Sequence, residues 1–271
     1  MNTRPVLLGI LNITEDSFSD GGRYLATDAA LARARELAND AAIIDIGAAS
    51  SNPMSKGVPP DVEIARMAPV VAMLKRESVP VSVDSFSVPV QRWSLAQGVE
   101  YLNDIHGFPN RELYDALAAS PARLIVMHAI QEEGPADRTR VDPVGIFDRV
   151  MNFFDRRILA LEAAGIARSR LILDPGMGFF LGTAVDASYT VLRQLPALKQ
   201  AFSLPLLISV SRKSFLRKLT GRLPQASGAA TLSAELFAVA QGADYIRTHD
   251  PGALKDALLV QRALRGSTTA M

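Results

Sequence analysis

The stretch Gly9-Ile10-Leu11-Asn12-Ile13-Thr14-Glu15-Asp16-Ser17-Phe18-Ser19-Asp20-Gly21-Gly22 decides between two folds. Its start belongs to a short apolar run, Val6–Ile13, that reads as a strand. A doubly wound open sheet usually carries a glycine fingerprint, G-x-G-x-x-G, in the turn after its first strand. The turn here is polar, and the only glycines after the strand are the adjacent pair Gly21-Gly22. A different α/β arrangement is therefore expected.

Seven further apolar runs follow: Ala42–Gly47, Val79–Phe86, Tyr101–Ile105, Arg123–His128, Leu171–Asp174, Leu204–Val210 and Asp244–His249. Nearly continuous apolar cores are the pattern of parallel strands covered on both faces. Helical stretches separate them. Thr27 is expected to cap Asp28–Asn39, and Asp61–Glu77, Pro89–Gln97, Arg111–Ala119, Pro143–Gly165, Asp186–Phe202, Ala226–Gln241 and Pro251–Leu264 complete the set. Strict alternation of eight strands and eight helices predicts an α/β fold, a single (β/α)8 TIM barrel. The 271 residues match the usual size of about 250, so residues 1–271 are expected to form one domain.

Composition narrows the function. Charge is balanced, 29 Lys+Arg against 28 Asp+Glu, which gives no basic footprint for nucleic acid or an anionic membrane. The absence of cysteine excludes disulfides and thiolate metal sites. No run approaches the roughly 20 apolar residues of a membrane span, and Val6–Ile10 is too short for a signal peptide. A cytoplasmic location is expected.

A barrel of this kind carries its active site at the C-terminal ends of its strands. Unusual polar residues gather there: Asn12, Ser50-Ser51-Asn52, Asp84-Ser85, Asn103-Asp104, His128, Asp174, Ser211-Arg212-Lys213-Ser214 and Arg247-Thr248-His249-Asp250. Ser85, Asp104 and Asp250 suit turns or helix caps. Asp84 and Asp174 each follow apolar residues, and a buried carboxylate there needs a donor partner. No His-x-His, His-Glu-x-x-His or Gly-x-Ser-x-Gly motif occurs, which speaks against metal hydrolases and serine triads. Two carboxylates, an asparagine and a lysine suit a flat, nitrogen-rich heterocycle. A carboxylate accepts two hydrogen bonds from an amidine-like edge, and lysine donates to an exocyclic oxygen. Arg247, His249 and Asn12 form a cluster fit for an anion or a hard cation.

The opening stretch closely resembles the first signature of dihydropteroate synthases. The likeness continues through Asp45-Ile46-Gly47, Ser82-Val83-Asp84, Asn103-Asp104-Ile105, Val126-Met127-His128, Asp174-Pro175-Gly176-Met177-Gly178-Phe179, Ser211-Arg212-Lys213-Ser214 and Gly242-Ala243-Asp244-Tyr245-Ile246-Arg247-Thr248-His249. It spans nearly the whole chain, in order on every strand.

The resemblance implies a reaction of a pterin pyrophosphate with 4-aminobenzoate in folate biosynthesis. Asp84, Asn103, Asp174 and Lys213 would hold the pterin, with Met127 beside it. Asn12, Arg247 and His249 would bind pyrophosphate, and Asn12 would reach a Mg²⁺ ion. Asp84, Lys213, Arg247 and His249 are the residues expected to carry catalysis. Ser51, Asn52, Pro53, Phe179, Phe180 and Ser211 would surround 4-aminobenzoate, and a homodimer is expected.

Three departures stand out. Glu15 replaces the usual proline, Ser50-Ser51-Asn52-Pro53 replaces Ser-Thr-Arg-Pro, and Gly178-Phe179-Phe180-Leu181-Gly182 replaces Gly-Phe-Gly-Lys. These resemble the sulfonamide-resistance branch of the family. The physical expectation is steric: an added aromatic near the 4-aminobenzoate carboxylate end excludes a bulkier substituted sulfonyl. Packing of the loop is the plainer role for Phe180. Two other functions compete. A pterin-binding methyltransferase shares the ring-holding pattern but needs no pyrophosphate cluster. A catalytically impaired pterin-binding protein is favoured only by Asn52.

Overall fold

The computed structural model describes residues 4–14, 22–49, 57–131 and 144–266, with residues 22–26 described in backbone only. Eight parallel strands are present: β1 (Val6–Asn12), β2 (Ile43–Gly47), β3 (Val81–Asp84), β4 (Tyr101–Asp104), β5 (Arg123–Met127), β6 (Leu171–Asp174), β7 (Leu207–Ile208) and β8 (Tyr245–Thr248). The order β6-β5-β4-β3-β2-β1-β8-β7 returns the last strand to the first. A single bridge, Leu173 to Leu206, and the bond from the Leu173 amide to the Pro205 carbonyl (2.9 Å) close the seam between β6 and β7. The fold is the expected TIM barrel.

Strand side chains alternate between two cores, as the period of two requires. Leu8, Ile43, Ile125, Ile172, Leu207 and Tyr245 fill the barrel interior. Leu7, Leu11, Ile44, Ile46, Val83, Leu102, Leu124, Val126, Leu173, Ile208 and Ile246 face the helices. On the floor of the barrel, Arg123 donates to the Tyr245 hydroxyl (2.6 Å) and lies against the rings of Tyr101 and Tyr245. Farther along most strands the inward positions become polar, and Asn12, Asp84, Asn103, Asp174 and Arg247 are among the predicted site residues.

The helices are α1 (Gly22–Ala38), α2 (Pro60–Arg76), α3 (Val88–Ala96), α4 (Tyr114–Ala119), α5 (Ile146–Ala163), α6 (Val185–Arg193), α7 (Leu195–Phe202), α8 (Ser214–Thr220), α9 (Gly228–Ala240) and α10 (Pro251–Leu264). Four expectations need correction. Thr27 lies inside α1 rather than capping it, because the helix already starts at Gly22. The stretch Asp186–Phe202 divides into α6 and α7, since Pro196 lacks the N–H that would continue the ladder. The helix expected from Ala226 starts at Gly228, after a 3-10 turn over Pro224–Ala226. Helix α8 was not anticipated; it follows directly on Lys213 and is too short to show a stripe. Position 143, the expected start of α5, lies outside the described residues.

Candidate active site

The residues singled out at the strand ends converge at the barrel mouth. Asp84, Asn103, Asp174, Met127, Lys213 and Arg247 line one small cavity, together with Ile105, Met177, Phe180 and Ser209. Parity explains the convergence. Asp84 and Asn103 are register partners across β3 and β4, and Met127 and Asp174 are partners across β5 and β6.

Arg247 is the electrostatic centre. Its Nε donates to Asp45 Oδ2 (2.5 Å) and its Nη2 to Asp84 Oδ2 (2.6 Å). Burial opposes its charge, but Asp45 and Asp84 outweigh burial and hold the guanidinium above its ordinary value. The remaining guanidinium N–H groups are left for a ligand. Asp45 itself is fully buried, with Oδ1 lacking a protein partner.

Burial pushes Asp84 up to about 7 against the pull of Arg247, with Asp45 adding to the rise. Asp174 is raised to about 6 by burial, opposed by the Gly176 N–H that donates to its Oδ1 (2.8 Å) and by Lys213. Lys213 falls to about 8 through burial and the nearby Arg247, with Asp174 and Asp84 opposing. The Oδ1 atom of Asn103 and the hydroxyl of Ser209 are buried without protein partners. A buried orphan acceptor is costly unless a ligand or water completes it, so the cavity presents acceptors and a cation ready for a polar heterocycle. Ile105, Met127 and Phe180 form its apolar wall.

Beside this cavity His249 sits in a cationic neighbourhood. Its Nδ1 pairs with the Ser211 hydroxyl (2.9 Å), and the His249 amide donates to the same oxygen (3.3 Å). The Ser211 hydroxyl thus holds the ring through Nδ1 and leaves Nε2 as the ring nitrogen facing away from it. Burial and then Arg212, Arg247, Lys213 and Arg33 lower the imidazole to about 3. Such a surrounding favours an anion.

His128 and His106 have structural partners. His128 Nδ1 donates to the Pro175 carbonyl (3.1 Å), and burial lowers its value to about 4. His106 Nδ1 contacts the Gln131 carbonyl (3.2 Å), and its ring meets Phe86 edge-on. Asp250 caps α10 by accepting from the Ala253 amide (3.0 Å).

Residues 8–249 match the family described as pterin binding enzymes. The chain is 56% identical over 266 residues to the dihydropteroate synthase type-2 of Escherichia coli, covering 98% of each chain. It is 48% identical over 259 residues to the type-3 enzyme of the same organism, covering 95% of this chain and 98% of that one. The chain belongs to the dihydropteroate synthase family. Among solved structures, the Xanthomonas albilineans dihydropteroate synthase in complex with 7,8-dihydropteroate superimposes with a TM-score of 0.85. It is 34% identical, covering 98% of this chain and 95% of that one.

Within this dihydropteroate synthase fold, the described residues include Asn12, Asp84, Asn103, Met127, Asp174, Lys213, Arg247 and His249. Ser51, Asn52 and Pro53, and most of the first loop, lie outside them. Of the remaining residues expected near 4-aminobenzoate, Phe179 is half-buried and Ser211 is buried against His249. Phe180 is buried with its ring centre 4.8 Å from Lys213 Nζ, on the wall of the cavity that holds Asp84 and Asp174.

Asn12 is exposed at the end of β1. Its Oδ1 lies 3.9 Å from the position a Cβ on Gly47 would take, and the Asp84 Cβ lies 3.7 Å from the same point. Gly47 therefore keeps open the gap between the two. Among the described residues no three His, Cys, Asp or Glu side chains gather to hold a metal. Mg²⁺ commonly takes one or two protein oxygens and completes its shell with water and substrate phosphates. A lone Asn12 oxygen beside an anion site fits that donor set.

Sequence reading missed the role of Asp45, although the signal was present. It is a carboxylate amid Ile43-Ile44 and Ile46, on the inward parity, two positions before Gly47. Ser209, Ile105 and Met177 also line the cavity without having been singled out.

Proposed function

We propose that the chain joins 6-hydroxymethyl-7,8-dihydropterin pyrophosphate to 4-aminobenzoate, giving 7,8-dihydropteroate and pyrophosphate in folate biosynthesis. One observation carries this reading: ionisable groups suited to a pterin edge, Asp84, Asp174 and Lys213, share a buried cavity with the unpartnered Asn103, next to the His249 cluster. The printed names of the relatives, and the product bound in the Xanthomonas structure, support it.

In this reading Asp174 accepts from the amidine edge of the pterin and Lys213 donates to its exocyclic oxygen. Asp84 and Asn103 meet the other ring edge, and Met127 packs on its face. The bond between the pterin methylene carbon and the diphosphate oxygen breaks first, and its electron pair leaves with pyrophosphate. Arg247 and His249 stabilise that departing charge. The buried carboxylates favour the pterin-methyl cation left behind. The 4-aminobenzoate nitrogen then supplies its lone pair to the carbon and loses a proton, so no protein nucleophile is needed. Asn12 is the residue that would hold Mg²⁺, which supplies charge neutralisation of the diphosphate when bound.

Drug insensitivity rests on Phe180 and on the altered second loop. A homodimer is supported by apolar side chains exposed on α8, the turn after it, α9 and α10: Leu219, Leu223, Phe237, Leu259, Val260 and Leu264. The chain is taken as one domain, residues 1–271. No described helix is long and apolar enough to cross a membrane, in keeping with a cytoplasmic enzyme.

The test is pyrophosphate release by the purified protein given the pterin pyrophosphate, 4-aminobenzoate and Mg²⁺, with and without sulfamethoxazole. Arylamine-dependent release that persists in drug is expected. Release abolished by the drug removes the insensitivity alone. Tight pterin binding without release would leave a binding protein, and methyl transfer from a methylated folate would reassign the chain to the methyltransferases.

A further inference from the structure

Period-two alternation has a second consequence at the barrel mouth. Asp84 and Asn103 point inward, so the next residues, Ser85 and Asp104, point outward into the helix layer. Both are buried, at 6% and 1% exposure. Polar groups in that position need partners, and helices α2 and α3 supply them. The Ser85 hydroxyl donates to Glu63 Oε2 on α2 (3.1 Å). Gln91 on α3, 1% exposed, spends its Nε2 on both strand ends: it donates to the Ser85 carbonyl (2.8 Å) and to Asp104 Oδ2 (2.8 Å). Asp104 Oδ1 in turn accepts from the His106 amide (2.8 Å). A continuous chain of hydrogen bonds therefore runs from α2 to the turn after β4, passing directly behind the two cavity residues.

We propose that Gln91 is a positioning residue for the pterin: its side-chain amide ties the ends of β3 and β4 and so fixes the spacing between Asp84 and Asn103. The Ser85 amide also donates to the Asn103 carbonyl (3.1 Å), and the Gln91 side chain adds its two bonds to that backbone join. The ties act on the residues adjacent to Asp84 and Asn103, so a small rotation of either strand end is transmitted to the inward side chain. Gln91 is not among the described residues that line the cavity itself. Its two bonds lie behind Asp84 and Asn103, both assigned to the pterin, so its effect should fall on pterin affinity rather than on the arylamine. The inference rests on the reading of this cavity as the pterin site.

The experiment compares wild type with Gln91→Met, which keeps length and apolar volume, and with Asp104→Asn, which keeps shape. Equilibrium binding of fluorescent pterin-6-carboxylate is measured with KM for both substrates, and thermal melting confirms folding. Loss of hydrogen bonds worth about one decade of affinity predicts that Gln91→Met raises the probe Kd and the pterin KM about tenfold. The 4-aminobenzoate KM should stay within about twofold. Asp104→Asn should give part of the same split, and the double variant should be no worse than Gln91→Met, because the two share one contact. Equal movement of both KM values, no movement in either, or additive losses would overturn the proposal. If Gln91→Met does not fold, the split in Asp104→Asn decides alone. Wild-type protein that does not bind the probe would instead sink the pterin-site reading, an outcome distinct from wild type and variants binding alike.

Discussion

Arg247 Nη2 donates to Asp84 Oδ2 at 2.6 Å, so the side chain expected to grip the diphosphate is ion-paired to one expected to hold the pterin. The same guanidinium reaches Asp45, which is completely buried. In the proposed reading one charge network serves both ends of the substrate, so a change at either end should be felt at the other.

Removing Arg247 leaves Asp45 buried and unpaired, a situation that typically costs about 3–5 kcal/mol. Arg247→Ala should therefore be much less stable than Asp45→Asn, which deletes a charge but keeps the shape. Urea unfolding of the two variants checks this. Comparable midpoints would mean the network contributes little.

Activity should depend on pH through Asp174 and Lys213. The proposed contacts need Asp174 ionised and Lys213 protonated. Asp174 takes up its proton as pH falls through about 6, and Lys213 loses its proton as pH rises through about 8. A bell-shaped kcat/KM is expected, with Asp84, raised to about 7, adding to the acid limb, and Lys213→Arg should move the alkaline limb out of range at some cost in rate. An alkaline limb unchanged in that variant would assign it to another group.

Gly176 has φ +73, and a Cβ there would lie 2.3 Å from the His128 carbonyl oxygen. Gly176→Ala should destabilise the fold by at least about 1–3 kcal/mol from backbone strain, and by more from displacement of His128. It also disturbs the amide that donates to Asp174, so pterin affinity should fall with stability. A melting point within error of wild type would contradict this.

Phe180 is the residue on which drug discrimination is expected to turn. Phe180→Ala should increase sulfamethoxazole inhibition by about tenfold or more, the scale of one excluded steric contact, with a smaller change in the 4-aminobenzoate KM. Truncating a buried aromatic also costs about 3–5 kcal/mol, so inhibition should be measured well below the variant's melting point. Inhibition as weak as in wild type would leave Phe180 with its packing role.

Chelation offers a separate check on Asn12. Pyrophosphate release should stop with EDTA and return with added Mg²⁺, and Asn12→Ala should need roughly tenfold more Mg²⁺. Pterin-probe binding should be unaffected. An unchanged Mg²⁺ requirement would remove Asn12 from the metal's shell.

The barrel was legible because parallel strands covered on both faces leave continuous apolar runs, and because Asp84, Asn103 and Asp174 interrupt those runs at the same end. Convergence of these residues followed from parity once strand order was known. The less legible parts depend on contacts distant in sequence. Asp45 is separated from Arg247 by 202 positions, and nothing local marks it as a partner. Gln91 reads as an ordinary position on a short amphipathic helix, since its two acceptors lie on different strands. The break between α6 and α7 is marked in the sequence by Pro196, whose ring removes the N–H that one continuous helix over Asp186–Phe202 would need. Helix α8 is too short for periodicity to register.

The seam between β6 and β7, closed by one bridge, is the most sparsely paired join among the described strands. Asp174 ends one bank of that seam, while Ser209 and Lys213 follow the other. A pterin held by Asp174 and Lys213 together spans the gap from bank to bank, so the ligand acts as a staple for the weakest join in the cylinder. Occupancy should then be written into the backbone: the Leu173 amide, bonded across the seam to Pro205, exchanges its hydrogen more slowly when the heterocycle is bound, and the empty cylinder breathes along that one line.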